Sequence, residues 1–407
     1  MGRVAGGTAA LRPVLQGGGE LVGWELVRAL VPLREPWVSA AGSFSGRDSL
    51  LVRAVLRYAS DAGGRAESEG WGECTALPEP SYSSEYTSGA VEVSEAYLLP
   101  ALLAAKVASA GDVAPALAGV KGHKMAKSAF EAALLDAELR AAGVRMADFL
   151  ASLSSAGKPA QDAVAAGVAV GLQSSLAKLL DEVERYVGEG YLRVKLKIAP
   201  GWDDGPLGEL RRRWPDLVLF ADANGAYADM GPLEAAARLV RMDDYELACL
   251  EQPLGDDDLA GHRDLARQLR TPLCLDESLT SVASVRAALE MGACSVVNVK
   301  AGRFGGYVEA VRVHDLCAER SVPVWCGGMV ETGIGRAGNV ALASLPNFTL
   351  PGDLSASGRF FAQDLAGPLD LGAGGTISVP AGPGTGVTVS AEALRAFVTW
   401  RRWYPAS

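Results

Sequence analysis

The sequence predicts an α/β barrel of the (β/α)8 type, built as (β/α)7β, with an N-terminal α+β capping domain that the C-terminal tail completes. Three observations predict it. From about residue 163 onward, short apolar runs alternate with helical stretches, which is the signature of parallel βα units. There are eight such runs, and eight units over roughly 200 residues close a barrel. Before residue 150 the texture differs: amphipathic strand-like runs come first, then a long Ala-rich helical region, as in an α+β domain. A doubly wound open sheet is the alternative for the second part.

Taken in order, residues 1–21 are Gly-rich and aperiodic and read as a flexible extension. Residues 22–34 and 49–60 alternate as strands, and Ala62-Gly63-Gly64 marks a turn. From about Ser84 to Leu150 the pattern is helical, and Met125 to Ala142 shows apolar spacings of 3 and 4. The eight barrel runs are Val164–Val170, Leu192–Ile198, Leu217–Asp222, Leu247–Glu251, Leu273–Asp276, Ser295–Lys300, Pro323–Cys326 and Phe348–Asp353. Strand-like alternation returns beyond Gly374 and predicts a tail that packs back on the first domain. The expected division is therefore an extension 1–21, a capping domain 22–155, a catalytic barrel 156–374 and a C-terminal segment 375–407.

Composition removes several function classes. The 407 residues are 49% hydrophobic and 21% charged, which suits a packed globular chain and not a disordered one. The net charge is −10, and Arg211-Arg212-Arg213 is the densest cationic run, so a nucleic-acid partner is not expected. The most apolar stretch, Leu98 to Val120, carries Lys106, Asp112, Pro100 and Pro115, so no membrane span is expected. Six scattered cysteines without a CxxC pair, and only three histidines, exclude a zinc finger or His-rich centre. Buried reduced thiols, a cytoplasmic location and no targeting signal are the expectations.

In parallel α/β folds the chemistry sits at the C-terminal ends of strands. Here those ends read Lys195-Leu196-Lys197, Asp222-Ala223-Asn224, Glu251-Gln252-Pro253, Asp276-Glu277-Ser278, Asn298-Val299-Lys300 and Gly327-Gly328-Met329. Lys197, Asp222, Glu251, Asp276 and Lys300 follow one another in steps of 25, 29, 25 and 24 residues, about one βα unit each. A single carboxylate after a strand reads equally well as a helix N-cap. Five ions in register converge on one mouth. Three acids without histidine suit a hard divalent cation such as Mg²⁺, with Mn²⁺ as its substitute. Lys195 and Lys197 lie two apart and share the inward face. Such a lysine, its pKa pushed down by a dication and by other lysines, is a usable base for a proton alpha to a carboxylate.

With these strand ends the chain resembles the enolase superfamily, in its muconate-lactonising branch, and within that the o-succinylbenzoate synthase / N-succinylamino acid racemase family. Further stretches that carry the resemblance are Gly70-Trp71-Gly72-Glu73-Cys74, Tyr82 to Tyr86, Gly122 to Ala126, Leu135 to Leu139, Val299 to Gly306, Val324 to Arg336 and Pro351 to Ala356. The resemblance implies Asp222, Glu251 and Asp276 as metal ligands, and Lys197 and Lys300 as the acid/base pair. It implies Lys195, Asn224, Arg303, Gly327, Gly328 and Met329 as substrate contacts, with Arg303 tuning Lys300. The implied chemistry is Mg²⁺-dependent proton abstraction through an enediolate. Dehydration of 2-succinyl-6-hydroxy-2,4-cyclohexadiene-1-carboxylate, racemisation of N-acylamino acids, or both would use it. A small carboxylate substrate and a homo-oligomer are expected. Two departures bear on substrate identity: Ala169 stands where relatives often carry serine, and the loop from Trp37 to Gly42 lacks their aromatic residue before the glycine. Muconate cycloisomerisation and a non-catalytic metal-binding barrel are the competing readings. The second is opposed by the presence of both lysines and all three acids.

Other motifs are set aside. Gly333-Ile334-Gly335-Arg336-Ala337-Gly338 matches GxGxxG, but too few residues follow for a dinucleotide domain, and it reads as a glycine-rich edge of the pocket. Ser175-Leu176-Ala177-Lys178 reads as a solvated helix. His123, His262 and His314 are not at strand ends and are expected at the surface or behind the site.

Overall fold

The computed structural model describes residues 14, 19–39, 42–60 and 63–406. Three long antiparallel strands open the fold: β1 (Gly19–Ser39), β2 (Gly42–Ala59) and β3 (Arg65–Glu73). Then come β4 (Ala163–Ala165) and seven short parallel strands. These are β5 (Gly167–Val170), β6 (Arg193–Lys197), β7 (Val218–Asp222), β8 (Cys249–Glu251), β9 (Leu273–Leu275), β10 (Val296–Val299) and β11 (Val324–Cys326). Three strands close the list: β12 (Leu371–Gly372), β13 (Thr376–Ser378) and β14 (Val398–Pro405).

The first sheet runs β14-β1-β2-β3, so the last strand pairs antiparallel with the first. Both early strands are longer than their apolar alternation predicts. Gly19–Leu21 belong to β1, not to an extension, because ladder bonds to Arg57 and Tyr58 hold them. The rest of the expected 1–21 extension, apart from Val14, lies outside the described residues. Helix Lys124–Ala142 lies across β3, and the approach is so close that a Cβ on Gly72 would stand 2.0 Å from Ala129 O. Only glycine allows that contact. The region 84–150 is not one helical run: the turns at Ala105 and Leu117 divide it, while Thr87 to Ala104 stays helical through Pro100.

The seven parallel strands form one sheet in chain order, β5 to β11. The eighth run, Phe348–Asp353, is not a strand. Pro351 offers no N–H, and only single bridges form, Phe348 to Val324 and Gly352 to Ala166. Those bridges still close the ring. Gly167 N donates to Gly352 O on one side, and Asp353 N donates to Cys326 O on the other, both at 2.8 Å. A plug of Phe220, Cys249, Cys274, Val296 and Trp325 fills the barrel beneath the mouth. Each plug residue is followed two positions later by a mouth residue: Asp222, Glu251, Asp276, Asn298 and Gly327. The two-residue period of a strand thus converts an apolar interior layer into a polar rim.

The motifs set aside above prove architectural. Ser175 caps helix Leu176–Glu189 by accepting from Lys178 N. Gly333–Gly338 lies inside helix Gly333–Ala343 and meets the pocket through Arg336, not through glycine backbone; its glycines let the helix touch the Ala366 backbone and the Tyr307 ring. His262 and His314 are fully buried, contrary to a surface placement. The ring of His262 bonds Asp258 O and Leu254 N, and that of His314 bonds Asp315 and Asn347 N. All six cysteines are free and buried. Among the described residues, no helix is long and apolar enough to cross a membrane.

Candidate active site

Register puts the ions side by side. Lys197 is the ladder partner of Asp222, and Asp222 is the partner of Glu251. Asp276 stands one inward position beyond Cys274, which is itself the partner of Glu251. The side chains are then locked by one another. Lys195 Nζ lies 2.9 Å from Glu251 Oε2, 3.0 Å from Asp222 Oδ2 and 2.8 Å from Asp353 Oδ2, over the Trp325 ring. Lys197 Nζ donates to Asp222 Oδ2 and Asn224 Oδ1, both at 2.6 Å. Asn224 Nδ2 donates to Glu277 Oε1 at 2.8 Å, which fixes which end of the amide faces the lysine. Across the mouth, Lys300 Nζ donates to Asp276 Oδ2 at 2.8 Å and to Tyr82 Oη at 2.9 Å.

The charges shift one another. Burial works against the Lys195 ammonium, but Asp353, Glu251 and Asp222 outweigh it and hold its pKa above the ordinary lysine value. Lys300 is raised likewise, with Tyr82, Glu251 and Glu277 outweighing its burial. The sequence predicts lysine pKa values pushed down only beside a bound dication. In the protein alone the carboxylates are the nearer charges, and for Lys195 and Lys300 the direction is upward. Asp222 is buried, yet Lys197 and Lys195 hold its carboxyl far below the usual range. Burial and the charge of Asp222 push Glu251 up, and the same causes push Glu277 up to about 7.

Among the described residues, no three acids, histidines or cysteines are drawn together as a finished metal cage. Asp276 is turned to Tyr82, Lys300 and Arg303. The donor chemistry nevertheless fits a hard divalent cation. Asp222, Glu251 and Asp276 are all 1% exposed or less and offer only oxygen, and ammonium groups satisfy their demand for positive charge here. Glu277 Oε2, beside them, is buried without a hydrogen-bond partner.

A cleft of about 670 Å3, counting its open mouth, lies over these groups. Lys195, Lys197, Asn224, Lys300, Gly328 and Met329 line it. Gly327 and Arg303 do not; they act from beneath. A Cβ on Gly327 would strike Asn298 Oδ1 and Lys300 Cε. Arg303 is buried, donates to Leu279 O and Asn298 O, and touches Tyr82 and Asp276. The loop from Trp37 and Ala169, both marked by the sequence as bearing on substrate identity, do line the cleft, while most of its other lining residues escaped sequence reasoning. Trp37, Phe44, Leu77 and Tyr82 reach over from the first sheet and its following loop, and Arg336, Asp353, Arg359 and Phe360 come from beyond β11. Asp353 had a signal, since it ends the eighth apolar run. Tyr82 had none beyond its place in a resembling stretch.

The fold and the site define a class: a barrel enzyme whose mouth combines strand-end carboxylates with three lysines facing one cleft, under an N-terminal cap. Comparison with known proteins gives the same class and narrows it. The family described as enolase C-terminal domain-like matches residues 178–393. An N-succinylamino acid racemase of an Amycolatopsis species is 50% identical over 94% of this chain and 99% of its own length. The o-succinylbenzoate synthase of Geobacillus stearothermophilus is 39% identical over 91% of this chain and 94% of its own. The crystal structure of an enolase-superfamily member from Listeria innocua superposes with a TM-score of 0.86 at 34% identity, covering 96% of this chain and all of that one. The chain belongs to the enolase superfamily and, within it, to the family of o-succinylbenzoate synthases and N-succinylamino acid racemases.

Proposed function

We propose that this enzyme removes and returns the proton alpha to a substrate carboxylate, acting as an N-succinylamino acid racemase, an o-succinylbenzoate synthase, or both. One observation carries the reading: Lys197 and Lys300 stand on strands β6 and at the end of β10, four positions apart in the ring, and face one cleft. Each is held at its amine by a carboxylate partner and one further polar group. Asp222, Glu251 and Asp276 would hold Mg²⁺, and Mn²⁺ would substitute. When bound, that ion supplies positive charge to the substrate carboxylate as it gains enediolate character.

The chain's own residues do the rest. Lys195 adds a second positive charge beside the carboxylate. Lys197 takes or delivers the proton on one face, with Asn224 and Asp222 fixing its direction. Lys300 does so on the other face, backed by Tyr82 and Asp276. Racemisation uses both lysines in turn. In the synthase reaction Lys197 removes the proton and hands it to the departing hydroxyl, and the charge of Lys300 steadies the anion. Trp37, Phe44, Leu77, Met329 and Phe360 form an apolar wall that keeps bulk water away. The test is proton exchange in D₂O with N-succinyl amino acids of each hand, alongside turnover of 2-succinyl-6-hydroxy-2,4-cyclohexadiene-1-carboxylate. Processing of muconate with neither of these would overturn the family chemistry and leave only the superfamily fold.

A further inference from the structure

Three cations alternate along β6: Arg193, Lys195 and Lys197. The reaction proposed above uses the two lysines and leaves Arg193 without a task. Its side chain has no exposed surface, and a buried guanidinium is unfavourable unless it is paired and hydrogen-bonded. Phe220 and Trp325 flank it at 4.6 and 5.4 Å inside the barrel. Glycine at position 167 makes room for it, since a Cβ there would stand 2.5 Å from Arg193 Cζ. Its Nε and Nη2 donate to Pro351 O at 3.1 and 2.7 Å, and its Nη1 donates to Asp353 Oδ1 at 2.7 Å. Among the described residues, Asp353 is its one carboxylate partner.

Asp353 is thereby held at three points. Arg193 takes its Oδ1, Lys195 Nζ takes its Oδ2 at 2.8 Å, and its backbone N donates to Cys326 O where the ring closes. Burial opposes its charge, but Lys195 and Arg193 outweigh that and keep the carboxyl far below its usual range. Lys195 also touches Asp222 Oδ2 at 3.0 Å and Glu251 Oε2 at 2.9 Å. Those two are the proposed metal ligands, and Asp353 is not one. Of the three carboxylates, Asp353 acts most strongly on the Lys195 charge. Once Asp222 and Glu251 serve a dication, Asp353 is the acceptor left to Lys195. Without it the ammonium would compete for the ligand oxygens.

We propose that Asp353 is a positioning residue for Lys195: anchored from beneath by Arg193, it holds the ammonium beside the metal ligands and keeps it from competing for them. This rests on the metal site assigned under the proposed function. Arg193 acts at one remove. It occupies Oδ1, so Asp353 stays turned to Lys195 and does not join the ligand set.

The experiment is calorimetric titration of the full chain with Mg²⁺, comparing the wild type with Asp353→Asn, Lys195→Gln and the double variant. Thermal melting checks that each is folded. Asp353→Asn should weaken Mg²⁺ binding about 10- to 100-fold, the span of one charge-assisted hydrogen bond, because Lys195 falls back on Asp222 and Glu251. Lys195→Gln should bind Mg²⁺ at least as tightly as the wild type. In that background the effect of Asp353→Asn should vanish, to within about twofold. Unchanged affinity in the single Asp353 variant would overturn the proposal. So would a loss that persists in the double variant, because an Asp353 acting as ligand, as a bare charge or as a structural support needs no lysine. Weaker binding by Lys195→Gln alone would overturn it as well, and that measurement stands even if Asp353→Asn does not fold. Glu251→Gln separates the two readings. If that variant binds Mg²⁺ like the wild type, the metal site falls and the role of Asp353 with it. If it loses Mg²⁺ while the Asp353 and Lys195 effects simply add, the metal site stands and only the positioning role is refuted.

Discussion

Replacing Gly327 by alanine should disable one lysine and spare the other. A Cβ built there stands 2.5 Å from Lys300 Cε and 2.3 Å from Asn298 Oδ1. Carbon atoms settle at about 3.5–4.0 Å, so the end of Lys300 must move by about 1 Å. A displacement of that size at a reacting group costs on the order of 10²-fold in rate. Lys197 is held by Asp222 and Asn224, and the atoms nearest the new methyl belong to Asn298 and Lys300 instead. The assay is α-proton exchange in D₂O, followed by NMR, with each enantiomer of one N-succinyl amino acid. The enantiomer whose proton faces Lys300 should lose exchange about 10²-fold, and its mirror image should keep most of it. Over-packing of this kind costs about 1–3 kcal/mol, so melting should fall by only a few degrees. Equal losses for both enantiomers, or no loss, would refute the argument that Gly327 exists to make room for Lys300.

Other perturbations have equally definite outcomes. Lys197→Ala and Lys300→Ala should each stop net racemisation and leave exchange for opposite enantiomers, with losses of ~10²–10⁴-fold on the affected face; a single variant that racemises at the wild-type rate would rule out two bases. EDTA should abolish turnover, Mg²⁺ or Mn²⁺ should restore it, and Glu251→Gln should sharply weaken Mg²⁺ binding measured by calorimetry; full activity without metal would refute the ligand assignment. Away from the site, burial pushes the Glu131 carboxyl up to about 7 from an ordinary 4.5. The folded state therefore holds that proton longer than the unfolded one, and stability is lost as pH rises from about 4.5 through 7. At about 1.4 kcal/mol per pH unit the loss is about 3 kcal/mol. Melting curves from pH 4 to 8 should show Glu131→Gln gaining on the wild type as pH rises, and parallel curves would contradict it.

The barrel was legible because its signal is local and repeated. Each apolar run ends in an ion one βα unit after the last, and the inward parity of Lys195 and Lys197 needs only the strand period. The eighth run misled as a strand because apolar content does not reveal that Pro351 breaks the ladder, although Asp353 still reaches Lys195 and Arg193. The pocket's other wall was not legible. Trp37 and Tyr82 lie 263 and 218 residues before Lys300, and only the packed first domain brings them over the cleft. Arg303 and Gly327 were placed at the substrate by resemblance, but contact distances put them under Lys300, and no spacing rule encodes depth.

The pairing of β14 with β1 has a consequence for how the protein is made. β1 leaves the ribosome about 370 residues before its edge partner does, since Ala29 pairs with Val398 (398 − 29 = 369). At 5–20 residues per second that is roughly 20–80 s, during which the edge of β1 from Gly23 to Ala29 lacks the strand that pairs with it. The nascent chain thus carries a sticky edge for most of its synthesis. A ribosome that stalls or a protease that clips before Val398 would release a chain whose first sheet is left open to intermolecular pairing.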